Sequence, residues 1–150
     1  MNFQPMSQEE AKQVVSWQYQ GEYSFYDMKA DLEDYEKFIH PNTRNPHTYS
    51  AYEDGEFIGI FTAQIVGERT IDIGLGMRPD LTGRGMGQRF IEKGLKYVGE
   101  QIPFSEVTLA VASFNKRAIK VYERIGFETV HTFYQKTNGG EFLFVKMVKK

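Results

Sequence analysis

The spacing of apolar residues changes period several times along this chain, and each change marks a new element. Ala11, Val14 and Val15, with Gln18, recur at helical intervals behind Ser7-Gln8-Glu9-Glu10. That tetrad fits a capping box, in which the Ser hydroxyl and the Glu carboxylate satisfy orphan amides reciprocally. It predicts a helix over 8–18, with a short strand over 3–6 ahead of it and Gly21 ending it. Leu32, Tyr35, Phe38 and Ile39 share one face and give a second helix over 31–39, stopped by His40-Pro41. Strands follow over 48–52 and 56–66, around Asp54-Gly55, a dipeptide suited to a two-residue hairpin. From Thr70 to Met77 the period is two: Ile71, Ile73, Leu75 and Met77 alternate with Asp72, Gly74 and Gly76. Phe90, Ile91, Leu95 and Val98 then make the buried stripe of a helix over 85–101. A strand over 107–112, a helix over 115–125 ended by Gly126, and a hairpin of 127–136 with 141–148 complete the chain.

The resulting order is β-α-α-β-β-β-α-β-α-β-β, with four helices. It describes a single α+β domain over 1–150 with a mixed sheet. A right-handed crossover through the 85–101 helix makes the 70–77 and 107–112 strands parallel neighbours.

Composition narrows the chemistry. A formal net charge of −2 gives no basic excess for nucleic acid or an anionic membrane to attract, so neither is an expected partner. The chain has no cysteine, which removes thiolate nucleophiles, thiolate metal sites and disulfides. His40, His47 and His131 lack metal-ligand spacing, so no metal is expected. No apolar run approaches the roughly 20 residues of a membrane span, and Met1-Asn2-Phe3-Gln4-Pro5 does not read as a signal peptide. A cytoplasmic location is the expectation.

Chemistry concentrates between Met77 and Phe90. Gly83, Gly85 and Gly87 alternate with Arg84 and Met86, after a strand and before a helix. Glycines let a main chain approach an anion closely, and amides opening a helix point at it. Arg84 can add a charge-assisted contact. The intervals match neither a Walker loop nor a dinucleotide fingerprint. Downstream, Asn115, Ala118 and Tyr122 lie on one face of the 115–125 helix, with Lys116, Arg117, Lys120, Glu123 and Arg124 on the other side.

Together the two segments resemble the GNAT superfamily of N-acetyltransferases. Pro79 and Thr82-Gly83-Arg84-Gly85-Met86-Gly87 match its Q/R-x-x-G-x-G/A signature, although Thr82 stands where Gln or Arg is usual. Asn115, Ala118, Tyr122, Gly126 and Phe127 match N-x-x-A-x-x-x-Y-x-x-x-G-F. The resemblance implies a mostly antiparallel sheet with a splayed parallel pair, and acetyl-CoA as co-substrate. It implies that amides of Gly83, Arg84, Gly85, Met86, Gly87 and Gln88 hold the pyrophosphate. Leu75 and Met77 would pair with the pantetheine arm and Asn115 would hydrogen-bond it. The Met77 amide would polarise the acetyl carbonyl, and Tyr122 would protonate the departing thiolate. A Thr82 hydroxyl can still cap the helix.

The base and the acceptor site stay open. The strand glutamate of the histone-acetylating branch falls on Ile71 here, with Asp72 one residue on. Either a bulge re-aims Asp72 as the base, or Asp72 is a solvated strand residue and the proton leaves through water. The stretch from Trp17 to Asp27 is aromatic and acidic; in this superfamily it shapes the acceptor pocket. Glu22, Tyr26 and Asp27 are the candidate contacts for an amine, small or peptidyl. Equally, these aromatics pack the first helix onto the sheet. The reading is an acetyl-CoA-dependent N-acetyltransferase. The alternatives are a non-catalytic acyl-CoA sensor, or an enzyme moving another acyl group. Dimers are common in such families, so a homodimer stays open as well.

Overall fold

Alternation along the strands decides which side chains meet which helix, and two helical layers form on opposite faces of one sheet. The computed structural model describes residues 1–150. Its strands are β1 (Asn2–Pro5), β2 (Thr48–Glu53), β3 (Glu56–Ile65), β4 (Thr70–Met77), β5 (Glu106–Ala112), β6 (Glu128–Thr137) and β7 (Gly140–Lys149). Their order is β1-β2-β3-β4-β5-β7-β6, and every neighbouring pair is antiparallel except β4 with β5. The helices are α1 (Gln8–Ser16), α2 (Leu32–Ile39), α3 (Gly87–Gln101) and α4 (Lys116–Ile125).

The expected order of elements is present, with short 3-10 turns added at Gly21–Tyr26, Met28–Ala30 and Pro79–Leu81. Two helix boundaries move for backbone reasons. Helix α1 stops at Ser16 because Trp17 turns extended (φ −66°, ψ 132°). Helix α3 starts at Gly87, two residues later than the spacing predicts, because Gly83 and Gly85 take φ of +72° and +76°. Left-handed residues cannot begin a right-handed helix. Both tight hairpins use two left-handed residues, Asp54-Gly55 (φ 51°, 81°) and Asn138-Gly139 (φ 52°, 75°), as the twist of paired strands demands.

Helix α3 covers one face of the sheet. Phe61 of β3 and Phe90 of α3 are fully buried there, and Tyr49 of β2 meets Tyr97 of α3 edge-on at 5.0 Å. Gly94 is the closest approach: a Cβ there would lie 2.4 Å from the Phe61 ring. Glycine weakens a helix, so its place here reflects packing against that ring.

Helix α1 covers the other face through a buried carboxylate. The capping box forms as expected: Glu10 N–H donates to Ser7 Oγ (3.2 Å), and Ser7 N–H donates to Glu10 Oε1 (2.8 Å). Glu10 is only 4% exposed and also accepts from Ser50 Oγ (2.9 Å), Gln4 Nε2 (3.1 Å) and the Tyr52 hydroxyl. Burial pushes its carboxyl up, but these hydrogen bonds together hold it below the ordinary value. The same bond is the first cause, ahead of burial, that pushes the Tyr52 phenol up to about 12. A cap residue therefore also pins α1 to β1 and β2.

Two stability measurements follow. Gly94→Ala is expected to lower the unfolding free energy by about 1–2 kcal/mol in urea, because overpacking against Phe61 outweighs the helix-propensity gain of about 1 kcal/mol. A stabilised mutant would contradict the packing role. Glu10→Gln turns an amide NH₂ toward four donors and should cost about 2 kcal/mol at neutral pH. A carboxyl depressed in the native state stabilises above its unfolded pKa, and that contribution fades as pH falls through the lowered native value. The mutant's urea midpoint should thus fall less on acidification than the wild type's.

Candidate active site

The parallel pair is short. β4 and β5 pair only at Thr70↔Glu106, Ile71↔Val107 and Asp72↔Thr108. β4 stays bonded to β3 out to Gly59↔Met77, and β5 to β7 out to Ala112↔Phe144. Each strand follows its outer neighbour, so the two part after Asp72. Arg78 N–H donates outward to Ile58 (2.8 Å). By alternation, the main-chain groups of Ile73, Leu75 and Met77 face the gap. The Tyr19 hydroxyl confirms this at Met77, donating to its carbonyl oxygen at 2.6 Å. Burial, then the Asp27 charge, push the Tyr19 phenol up to about 12, so it stays a donor at neutral pH. The gap opens into a cleft of about 860 Å³.

One end of the cleft is a glycine turn. Arg78 fixes its entry, with Nε and Nη2 donating to Asp80 at 2.6 and 3.0 Å and Nη1 to the Phe57 carbonyl at 3.1 Å. The Thr82 hydroxyl donates back to the Pro79 carbonyl (2.9 Å) and does not cap α3, contrary to the expectation from sequence. No side chain caps α3 at all, and no acidic residue sits in its first turn. Its leading amides are orphans, and the residues bearing them, Gly87 and Gln88, line the cleft with Gly83, Gly85 and Met86. A Cβ on Gly85 would meet nothing within 4 Å, so that glycine serves its left-handed backbone and an open approach. Arg84 is exposed and is not part of the lining.

Helix α4 forms the adjoining wall. Lys116, Arg117, Lys120 and Arg124 line the cleft, although the helical period assigned them to the far side. Spacing of four between Lys116, Lys120 and Arg124 was the available signal, since it makes one basic stripe. Asn115 caps α4, its Oδ1 accepting from Ala118 N–H at 3.2 Å, while its Nδ2 donates to the Tyr26 hydroxyl at 3.1 Å. Tyr122 is 8% exposed and lines the cleft. Burial raises its pKa strongly, and the nearby Tyr26 adds to that, so it is a neutral phenol at any physiological pH. Unlike the hydroxyls of Tyr19 and Tyr26, its hydroxyl is not hydrogen-bonded within the protein.

A further wall of the cleft is aromatic and apolar. Trp17, Tyr19, Tyr23, Tyr26 and Met28 line it together with Val14 of α1. This segment is clasped to α4, since the Arg117 guanidinium lies 4.5 Å from the Tyr23 ring centroid and Asn115 bonds Tyr26. Tyr26 is thus brought to the cleft, as the sequence suggested. Three acidic candidates are not. Glu22 is exposed and outside the lining. Asp27 turns inward to accept from Tyr19 N–H at 2.8 Å. Asp72 sits in unbroken register opposite Gln64, so no bulge re-aims it. Its Oδ1 accepts from Thr108 Oγ1 (2.6 Å) and pairs with Lys146 Nζ (3.3 Å). No Asp or Glu lines the cleft, and no cluster of His, Asp and Glu could hold a metal.

A splayed pair, an uncapped helix start and a buried phenol between them make one continuous slot. Residues 9–127 match the model of the acetyltransferase (GNAT) family. The chain belongs to this family. Among curated proteins, this GNAT chain is 37% identical over 87 residues to mycothiol acetyltransferase of Streptomyces coelicolor, covering 56% of the chain but 28% of that protein. It thus spans under a third of the mycothiol acetyltransferases that it matches. Acetyltransferase PseH of Campylobacter jejuni is 22% identical over 132 residues, covering 84% of the chain and 82% of that protein. Aminoglycoside acetyltransferase AAC(6')-Ib, solved with coenzyme A, shares the fold with a TM-score of 0.74 at 20% identity, over 99% of this chain and 93% of that one. A mutant form of spermidine N-acetyltransferase SpeG from Vibrio cholerae gives 0.71 at 19% identity, over 99% and 94%.

In this GNAT chain Gly85→Asp should weaken coenzyme A binding at least tenfold by calorimetry, with the far-UV circular dichroism retained. The carboxylate would stand among the orphan amides and repel an anion. Unchanged affinity in the folded mutant would remove the glycine turn from the binding site.

Proposed function

We propose that this protein moves the acetyl group of acetyl-CoA to a primary amine by direct attack on the thioester. What carries the reading is the set of groups that one cleft brings together: orphan amides at the glycine turn, four cations and the buried Tyr122 on α4, and the aromatic wall that follows α1. A long ligand with an anionic part and a neutral part matches that lining. Amides of Gly83 to Gln88 hold the pyrophosphate, with the α4 cations beside them. Main-chain groups of Leu75 and Met77 take the pantetheine arm as a strand would. Asn115 assists once its Nδ2 leaves Tyr26.

Acetyl-CoA supplies a thioester already reactive toward amines. The chain's part is to align the amine with the carbonyl carbon, which alone is worth several kcal/mol. The Met77 amide donates to the carbonyl oxygen as negative charge develops there. Tyr122 gives its proton to the sulfur as the carbon–sulfur bond breaks, and regains one from solvent. The amine's surplus proton passes to water, since no carboxylate lines the cleft.

Tyr122→Phe tests the assignment. Single-turnover release of free thiol should slow by about 10²-fold or more, as loss of a general acid does. The dissociation constant of acetyl-CoA should stay within twofold. An unchanged chemical step would take Tyr122 out of the acid role. Tight binding with no thiol release on any amine would favour a sensor of acyl-CoA.

A further inference from the structure

The acceptor end of the cleft has a chemical character of its own, and it argues for a class of amine. The inference rests on the acetyl-transfer reading above. On the α1 face of the gap, β4 contributes Gly74 and Gly76; Thr62 Oγ1 covers Gly74, 2.8 Å from where a Cβ would stand, and Gly76 leaves the floor open. A Cβ on Gly76 would be in ordinary contact with Ile60 Cγ2 (3.5 Å) and the Tyr19 hydroxyl (3.7 Å), so these two groups border the cleft at that glycine. Val14, Trp17, Tyr19, Met28, Ile60 and Thr62 enclose it. The hydroxyls among them are already donors, Tyr19 to Met77 and Thr62 to the Gly74 carbonyl (3.3 Å). No acid lines the cleft: Glu10 accepts from four donors, Asp27 from the Tyr19 amide, Asp72 from Thr108 and Lys146, and Glu22 is exposed outside the lining.

We infer that the acceptor is a primary amine with an apolar or aromatic body and no second positive charge, seated between the Gly76 floor and the Trp17–Tyr19–Met28 wall. A polyamine or aminoglycoside would bring further ammonium groups into a site with no carboxylate to meet them, and unpaired charges are costly to bury. The four cations of α4 that line the same cleft add repulsion. A flat hydrocarbon body instead gains from contact with the indole and phenol faces.

The test is a thiol-release assay with acetyl-CoA and either 2-phenylethylamine or spermidine, beside acetyl-CoA binding by calorimetry. The aromatic amine should show a kcat/KM at least tenfold above that of spermidine. In Gly76→Ala the added methyl should raise its KM several-fold while the acetyl-CoA dissociation constant is unchanged. Spermidine turned over equally well or better overturns the inference. So does acetyl-CoA binding with no turnover of the aromatic amine, or a KM indifferent to the Gly76 methyl. Failure to bind acetyl-CoA at all would instead sink the acetyl-transfer reading.

Discussion

Two parallel strands that begin together and cannot stay together shape the rest of this molecule. β4 is held to β3 along its whole length and β5 to β7 along its own, so the twist of each half pulls the pair apart beyond Asp72. The separation leaves main-chain donors and acceptors of β4 without a strand partner. Such groups demand partners. One, the Met77 carbonyl, is met by Tyr19 from the loop after α1. The others face a cleft wide enough for a ligand to supply what the missing strand would. In this sense the binding site is an unfinished sheet.

The flanking helices make that opening usable. Helix α3 reaches its position because Gly94 lets it lie against Phe61, and its uncapped start then points into the slot. Helix α4 brings its basic stripe and Tyr122 from the other side. Gly87 packs its backbone near Val121, where a Cβ would sit 3.6 Å away, so the two helices approach closely at the mouth. On the opposite face α1 is anchored by Glu10, and the chain leaving α1 carries the aromatic wall. The cleft thus takes its cations from α4 and its aromatic wall from the chain after α1, and the two meet where Arg117 lies on Tyr23.

Much of this was legible in the sequence. The strict alternation from Ile71 to Met77 and the glycines before α3 determined both the strand and the turn. Asn115 and Tyr122, seven apart on one helix, met in the cleft as their spacing required. What was not legible was the choice of partner by short polar side chains. Thr82 can cap a helix or bond its own turn, and the Pro79 carbonyl decided between them. Asp27 looks like a substrate contact until the Tyr19 amide takes it. Polarity alone does not tell which exposed side of α4 is the functional one: its cations line a cleft, and a cleft is as wet as the outer surface.

Asp72 has a significance other than acid–base chemistry. Bonded to Thr108 across the last paired rung and to Lys146 from β7, it is the rivet at the crotch of the V. Strands advance about 3.3 Å per residue, so roughly 16 Å of the β4 edge runs unpaired from that rung to Met77. One carboxylate therefore marks the boundary between sheet that is closed by its own strands and strand edge that is left open.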